Sequence, residues 1–251
     1  MKKIKKINAA IIIIGNEILS GRTQDVNVAN ISHWLNSLGV KLDEVRIIPD
    51  IEKIIVKTIR EVKTKFKYIF TTGGIGPTHD DITSKSIAKA FNVKYTYHPE
   101  AYELLENYYD KGKFNIGRKK MAKTPKNASL IYNPSSTAPG FNIKNVYCLP
   151  GVPSILKSML GGLNNKIIGS NKILSKTISL RTVESEISVS LEKVQNKFKK
   201  LEIGSYPFFK QGKIGVSLVI RSSNLKLIEN CIIDIIRFVK KKKIKIINNY
   251  K

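Results

Sequence analysis

YIFTTGGIGPTHDDIT, residues Tyr68–Thr83, joins an apolar run to a glycine-rich turn and two adjacent carboxylates. Its first five residues are the short, β-prone run expected of a buried strand. The three glycines between residues 73 and 76 let the backbone turn tightly and approach a ligand closely. We predict that Thr83 caps a helix over Ser84–Phe91, so the segment forms a strand, a turn and a helix.

The flanking sequence repeats this alternation of strand and helix. Ala9–Ile14 is continuously apolar, as in a strand buried on both faces of a parallel sheet. Apolar residues at helical spacing follow Asp25, and others follow Asp50, which is a candidate helix cap. The alternation predicts an α/β fold in which helices cover both faces of a mostly parallel sheet.

A second module is predicted near the C-terminus. Residues 161–171 are rich in glycine and asparagine, so we divide the chain into domains 1–168 and 172–251. The second domain has the order β-α-β-β-α-β, which is typical of a small ferredoxin-like α+β fold. We expect it to act as a structural element, a surface for oligomerisation or a substrate lid.

Composition limits the classes of function. The chain has 251 residues, of which 42% are hydrophobic and 25% charged, so a globular protein with a buried core is expected. The net charge of +25 could attract nucleic acid, anionic membranes or polyphosphates. Lysine is spread along the whole chain without an arginine-and-aromatic readout surface, so nucleic-acid binding is the weaker hypothesis.

Cysteine and histidine usage indicates a reducing cytoplasm. Cys148 and Cys231 lie in separate apolar runs, as expected of small buried side chains, and the histidines show no zinc spacing. Met1–Ile14 combines basic and apolar residues but lacks a cleavage site, so we interpret it as the approach to a first strand. No apolar run reaches the length of about 20 residues that a membrane-spanning helix needs.

Four unusual loops, 15–22, 73–81, 133–141 and 150–154, each follow a predicted strand. Ligands of open parallel sheets bind outside the carboxyl ends of the strands, so we expect these loops to meet. Backbone N–H groups of the glycine turn can bind phosphate, while Asp80 and Asp81 favour a hard divalent cation. Glu17 and Asp25 could add carboxylates, although each aspartate could instead simply cap a helix. The pattern suggests metal-assisted attack of water on a phosphoanhydride.

These loops carry a family resemblance, in the four segments Gly15–Asn27, Thr71–Thr83, Asn133–Phe141 and Leu149–Ser154. The chain resembles the CinA-type competence/damage-inducible proteins, whose N-terminal part belongs to the MoaB/Mog-like molybdopterin-binding superfamily. It is also similar to the N-terminal domain of eukaryotic FAD synthases. The resemblance implies a three-layer α/β/α domain, a small α+β domain and self-association as a dimer or trimer.

The resemblance further implies metal-dependent pyrophosphatase activity on ADP-ribose- or FAD-like dinucleotides. Magnesium, manganese or cobalt would serve as the metal, with no organic prosthetic group. Molybdopterin binding or adenylylation is the alternative that other superfamily members suggest. The implied catalytic residues are Asp81, Asp80 and Glu17, and the implied metal ligands are Asp80, Asp81 and Asp25. The implied phosphate- or nucleotide-binding residues are Thr72, Gly73, Gly74, Ile75, Gly76, Pro77, Thr78, Asn27, Thr137 and Gly151.

The sequence departs from the family pattern at three positions. Ile155 stands where glutamate is common, Ser136 where glycine is usual and Val26 where threonine is usual. These departures keep open a further alternative, a nucleotide- or pterin-binding protein with reduced catalysis. The deamidase domain that often follows in CinA-type chains is not expected here.

Overall fold

A computed structural model describes residues 7–170, 172–210 and 212–248. Contacts divide the chain into two compact units, Met1–Ser170 and Asn171–Lys251, each with its own hydrophobic core. Residues 1–6, which belong to the segment Met1–Ile14 interpreted above as the approach to a first strand, lie outside the described residues.

The first unit is organised by one large sheet and a small ribbon. Its strands within the described residues are β1 (Asn8–Ile14), β2 (Lys41–Ile48), β3 (Tyr68–Thr72), β4 (Tyr95–Tyr97), β5 (Lys123–Pro125), β6 (Ser129–Ile131), β7 (Gly140–Ile143) and β8 (Val146–Leu149). The large sheet has the order β2-β1-β3-β8-β7-β6, and β4 pairs with β5. Strands β2, β1, β3 and β8 are parallel, whereas β7 runs antiparallel to both neighbours. The mostly parallel sheet predicted from the sequence is confirmed.

Helices cover both faces of this sheet. Within the described residues they are α1 (Asn16–Leu19), α2 (Asn27–Ser37), α3 (Glu52–Val62), α4 (Thr83–Ala90), α5 (Pro99–Tyr108), α6 (Ile116–Lys120) and α7 (Pro153–Leu160). Alternate residues of β1 explain the layers: Ile11 packs in a core cluster that includes residues of α2 and α7, and Ile12 in one that includes residues of α3 and α4. The run is therefore apolar throughout because both faces are buried.

The centre of the first core is aromatic. Phe70 of β3 is fully buried and stacks on Tyr147 of β8, with ring centroids 5.2 Å apart. Trp34 of α2 packs edge-on against the Phe70 ring, with ring centroids 5.6 Å apart. These contacts join the middle strands to one helical layer.

The second unit has a sheet of antiparallel strands with the order β10-β11-β9-β12. Its elements within the described residues are β9 (Leu174–Arg181), α8 (Glu184–Lys197), β10 (Glu202–Lys210), β11 (Lys213–Ser222), α9 (Leu225–Lys241) and β12 (Lys245–Asn248). The core joins Leu180 and Leu218 of the sheet to Ile187 of α8 and Ile235 of α9. Asn224 caps α9 by accepting a hydrogen bond from the N–H of Leu227 at 3.1 Å. The ferredoxin-like order of elements is confirmed.

Three local predictions were wrong. The segment 133–141 is not a loop throughout, because Gly140 and Phe141 begin β7. Asp50 does not cap α3: the cap position is Ile51, and no side chain caps that helix end. Thr83 does not cap α4, since it is the first helical residue and its hydroxyl has no hydrogen-bond partner.

Both cysteines are buried free thiols, as expected. Burial raises the pKa of the Cys148 thiol, and burial together with Asp234 raises that of the Cys231 thiol to about 12. Within the described residues, no helix is long and apolar enough to span a membrane.

Candidate functional site

The predicted loops meet at the carboxyl edge of the large sheet. The N–H of Gly73, after β3, donates to the carbonyl of Leu149 at the end of β8 over 3.2 Å. Gly151 lies close to Gly73: a Cβ added to Gly151 would be 3.4 Å from the Cα of Gly73. Since β1 is parallel to β3, the loop after Ile14 opens at the same edge. This is where an open α/β sheet binds its ligand.

The turn after β3 requires glycine. Gly73 and Gly74 have φ of 95° and 67°, in the left-handed region that side chains disfavour. A Cβ on Gly73 would lie 2.2 Å from the carbonyl oxygen of Ile14, and one on Gly74 would lie 2.1 Å from Thr83 Oγ1. The loop is thus packed between β1 and the first turn of α4.

Asp80 and Asp81 share one hydroxyl group. Thr78 Oγ1 lies 2.5 Å from Asp80 Oδ1 and 2.5 Å from Asp81 Oδ2, and the N–H of Thr78 also donates to Asp81 Oδ2 at 2.7 Å. A hydroxyl has one proton and can donate to only one of the two carboxylates at a time. The hydrogen bond from Thr78 lowers the pKa of the Asp80 carboxyl, and the backbone hydrogen bond of Asp80 lowers it further. Neither aspartate caps α4, since no side chain accepts a hydrogen bond at that helix end.

Asp50 is a functional candidate that the sequence reasoning treated only as a helix cap. Its Oδ2 accepts a hydrogen bond from the N–H of Asn16 at 2.9 Å. Burial raises the pKa of the Asp50 carboxyl, and the charges of Glu17, Asp80 and Asp81 raise it further, against the lowering effect of the bond from Asn16. Glu17, Asp80 and Asp81 therefore each lie within electrostatic reach of Asp50.

The signal that could have found Asp50 is its position. It follows β2, which is parallel to β1, so it stands at the carboxyl edge like the other loops. Its Oδ1 would lie 3.5 Å from a Cβ on Gly74, which places the carboxylate beside the glycine turn.

Glu17 and Asp25 line a small cavity of about 60 Å³ below the loop. Asp25 Oδ1 accepts a hydrogen bond from the N–H of Val28 at 2.9 Å, so this residue supports the start of α2. Thr72, Gly73, Asn27 and Gly151 line the same cavity. The structure thus brings together six of the predicted site residues.

Thr137 is placed differently. It lies between β6 and β7 with a φ of 63°, which is uncommon for a residue other than glycine. Asn133 organises this loop: its Oδ1 accepts from the N–H of Ser135 at 2.9 Å, and its carbonyl accepts from the N–H of Thr137 at 3.2 Å. Thr137 does not line the cavity that holds Asn27 and Gly151.

A basic helix borders the acidic pair. Lys120 of α6 donates from Nζ to the carbonyl oxygen of Thr78, and Gly117 packs against Pro77. Burial, followed by the neighbouring Tyr97 and Asp81, raises the pKa of Tyr95 to about 12. The site predicted from the sequence included no residue of α6.

Asp80 and Asp81 can supply part of the ligand set of a divalent metal ion, and water and substrate oxygens would supply the rest. Among the described residues, no group of three or more His, Cys, Asp or Glu side chains is placed to hold a metal ion. The family resemblance implied that Asp25 joins Asp80 and Asp81 as a metal ligand. The three side chains do not form a ready ligand set. Magnesium commonly uses one or two carboxylates, water and substrate phosphate oxygens, and Asp80 and Asp81 suit that arrangement.

The fold and this edge define a class of α/β proteins with a small-molecule site at the carboxyl ends of the strands. Residues 10–168 match the family described as "Probable molybdopterin binding domain", and the chain belongs to that family. Residues 172–247 match the family described as "FAD synthase, middle domain".

Relatives extend the assignment. A protein of Archaeoglobus fulgidus is 32% identical over 197 residues, which cover 78% of this chain and 84% of that protein. A "CinA-like protein" of Prochlorococcus marinus is 30% identical over 245 residues, which cover 92% of this chain and 57% of the relative. A crystal structure of "the protein CinA with unknown function" from Thermoplasma acidophilum matches with a TM-score of 0.61 and 32% identity, and the match covers 64% of this chain and 98% of that chain. The resemblance to CinA-type proteins is confirmed.

Proposed function

We propose that the protein is a divalent-metal-dependent nucleotide pyrophosphatase that hydrolyses the phosphoanhydride of a small dinucleotide of the ADP-ribose or FAD class. The observation that carries the proposal is the pair Asp80 and Asp81, which share the hydroxyl of Thr78, with Asp50 beside the same glycine turn. The charges of Glu17, Asp80 and Asp81 each raise the pKa of Asp50, and a divalent cation would offset this negative charge. A glycine turn next to the start of a helix supplies backbone N–H groups for phosphate.

The residues divide the work as follows. Residues 72–78 hold the phosphates, and Asp80 and Asp81 would hold the metal with water and phosphate oxygens. A bound magnesium, manganese or cobalt ion would polarise the phosphoryl oxygens. Thr78 orients Asp81 through its backbone N–H, and its hydroxyl donates to one of the two aspartates at a time. Lys120 holds the carbonyl of Thr78 and thereby anchors the turn.

Water is the other reactant. It adds to phosphorus as the bridging P–O bond breaks, which releases AMP and the second phosphate ester. Its proton passes to a carboxylate, for which Glu17 and Asp50 are the candidates. Burial and acidic neighbours raise the pKa of the Asp50 carboxyl, which makes it a stronger base than an ordinary aspartate.

The test is product release from purified protein with magnesium, manganese or cobalt and a panel of FAD, ADP-ribose and NAD. We expect AMP from at least one substrate, with one product phosphate labelled when the solvent contains oxygen-18 water. Asp81→Ala should abolish release. Asp110→Asn is the matched control, because Asp110 is an exposed carboxylate paired with Lys113. Absence of turnover with every substrate and metal, or equal turnover by Asp81→Ala, would rule the proposal out.

The family match favours a second candidate, binding or adenylylation of molybdopterin. Adenylyl transfer also requires a bound pyrophosphate linkage. It transfers the adenylyl group to an alcohol or phosphate of the pterin, whereas hydrolysis transfers it to water. Incubation with ATP and the pterin separates the two reactions, since transfer forms a pterin adenylate and hydrolysis forms AMP. Nucleotide or pterin binding without either product would favour the protein with reduced catalysis suggested by Ser136 and Ile155.

Self-association as a dimer or trimer also stays a proposal. Several large apolar side chains are exposed, including Ile116 at 87% and Phe209 at 73%. Light scattering after gel filtration tests it, because a monomeric mass at micromolar concentration would rule it out.

A further inference from the structure

The cavity below the glycine turn has an unusual lining. Its polar side chains are those of Glu17, Thr23, Gln24, Asp25, Asn27 and Thr72, and among the described residues no lysine, arginine or histidine lines it. The whole chain carries a net charge of +25, so a cavity without cations is distinctive. Its volume of about 60 Å³ suits a small chemical group and is far below the few hundred Å³ of a whole-ligand pocket.

Asn27 adds a specific feature to this wall. It is 3% exposed, and its Nδ2 donates to the carbonyl oxygen of Gly151 at 2.7 Å. A carbonyl can only accept, so this bond fixes which end of the amide is the oxygen. That oxygen, Oδ1, is buried and has no hydrogen-bond partner. Buried acceptors are rarely left unpaired in folded proteins, and such a group needs an explanation.

Phosphate is not a partner for Asn27 Oδ1 itself. A phosphate oxygen carries negative charge and accepts hydrogen bonds, and an amide oxygen also only accepts. A metal ion is no better, because the described residues offer no group of three ligands here. The remaining partner is a neutral group that donates a hydrogen bond, through O–H or N–H.

The cavity is continuous with the phosphate loop, since Thr72 and Gly73 belong to both. A ligand whose phosphates lie on the glycine turn can therefore place a neighbouring group in the cavity. Gly151 is exposed and starts the loop before α7, and Oδ1 can accept from a ligand only when this loop moves away from Asn27.

We propose that this cavity is a donor-selective subsite, in which Asn27 Oδ1 accepts a hydrogen bond from a hydroxyl or amino group of the ligand. The proposal deepens the proposed function and rests on it for the position of the phosphates. It changes the predicted role of Asn27, from a phosphate contact to a specificity residue that recognises the uncharged part of a nucleotide. A sugar hydroxyl and a ring amino group are the two sources of the donor.

The experiment compares ligands by calorimetry, without any measurement of activity. The probes are AMP, 2′,3′-dideoxy-AMP, which lacks the sugar hydroxyls, IMP, which lacks the ring amino group, and inorganic pyrophosphate. Wild-type protein should bind AMP about tenfold more tightly than one of the two nucleotide analogues, which identifies the source of the donor. Asn27→Ala should abolish this preference and leave the affinity for pyrophosphate within about twofold of the wild-type value.

A further variant separates recognition from folding. Asn145→Ala is the matched control: the Asn145 amide also donates to backbone carbonyls, those of Lys63 at 3.0 Å and Phe66 at 2.8 Å, but at the opposite edge of the sheet. It should retain both the preference and pyrophosphate binding. The fluorescence of Trp34 reports whether each variant is folded.

Three results would overturn the subsite: no wild-type preference in either comparison, no wild-type binding of AMP, or equal weakening of AMP and pyrophosphate by Asn27→Ala. These outcomes differ from failure of the proposed function. Cleavage of ADP-ribose without any preference overturns the subsite alone. A preference that depends on Asn27, without cleavage of any dinucleotide, overturns the pyrophosphatase proposal alone.

Discussion

Replacing Gly73 by alanine should strongly destabilise the first unit, because the new Cβ has no room. It would stand 2.2 Å from the carbonyl oxygen of Ile14, at a residue whose φ is 95°. The disfavoured φ costs about 1–2 kcal/mol, and displacing a backbone carbonyl in a packed core adds about 1–3 kcal/mol. We expect a total of about 2–5 kcal/mol, a large part of the roughly 5–15 kcal/mol that holds a domain folded.

Gly112 provides the matched control. Its φ is 83°, but an added Cβ would meet nothing within 4 Å. Gly112→Ala should therefore cost only the backbone part, about 1–2 kcal/mol. The difference between the two variants isolates the close contact of the glycine turn with β1.

Urea unfolding followed by tryptophan fluorescence measures both variants. The chain has a single tryptophan, Trp34, which packs against Phe70 and so reports the first unit. With a slope of about 1–3 kcal/mol per molar urea, Gly73→Ala should lower the midpoint by about 1 M or more. A loss within about 1 kcal/mol of that of Gly112→Ala would refute the reasoning that the turn is held against β1.

Three other predictions concern charge, thiols and the core. Asp50→Asn should raise the free energy of unfolding at pH 7, measured by urea unfolding, by an amount on the order of 1 kcal/mol or less. The reason is that burial and acidic neighbours destabilise the charged carboxylate. A raised pKa favours folding at low pH, and this advantage is lost as pH rises through the folded-state value, which lies above 3.8. The gain from Asp50→Asn should therefore shrink as pH falls through the folded-state value and vanish below about pH 3.8; an equal gain at every pH would contradict it. Cys148 and Cys231 should resist iodoacetamide at pH 8 in the native protein and react in urea, as mass spectrometry would show, since burial raises the pKa of both thiols. Phe70→Leu should cost about 1–3 kcal/mol by urea unfolding through loss of two ring contacts, and a cost below about 0.5 kcal/mol would contradict the packing.

Local patterns were sufficient for most of the fold. β3 has the bounds Tyr68–Thr72 that its β-prone run predicted, because a buried strand is marked by its own residues and the glycines that end it. The order β-α-β-β-α-β of the second domain was also predicted, because signals such as the Asn224 cap and the apolar spacing of α9 are local.

Features that depend on distant partners were missed. β7 was interpreted as a loop because Pro139-Gly140 is a turn signal, yet Phe141 pairs with Leu130 on one side and Cys148 on the other. That pairing is a property of the sheet and is invisible in the four residues themselves.

The site shows the same division. Asp80 and Asp81 were found because they follow the glycines directly. Asp50 was interpreted as a cap because capping is the local role of an aspartate before a helix. Its bond to the N–H of Asn16 and its repulsion by Glu17 arise only when β1 and β2 lie side by side.

The most direct test of the central claim is the rate of AMP release from ADP-ribose with magnesium, measured side by side for wild type, Asp81→Asn and Asp110→Asn. Asp81→Asn keeps the shape of the side chain and an oxygen that can accept from Thr78, but removes the charge. The account predicts magnesium-dependent release by wild type and Asp110→Asn, and a loss of about 100-fold or more in Asp81→Asn. Equal rates for wild type and Asp81→Asn would contradict it.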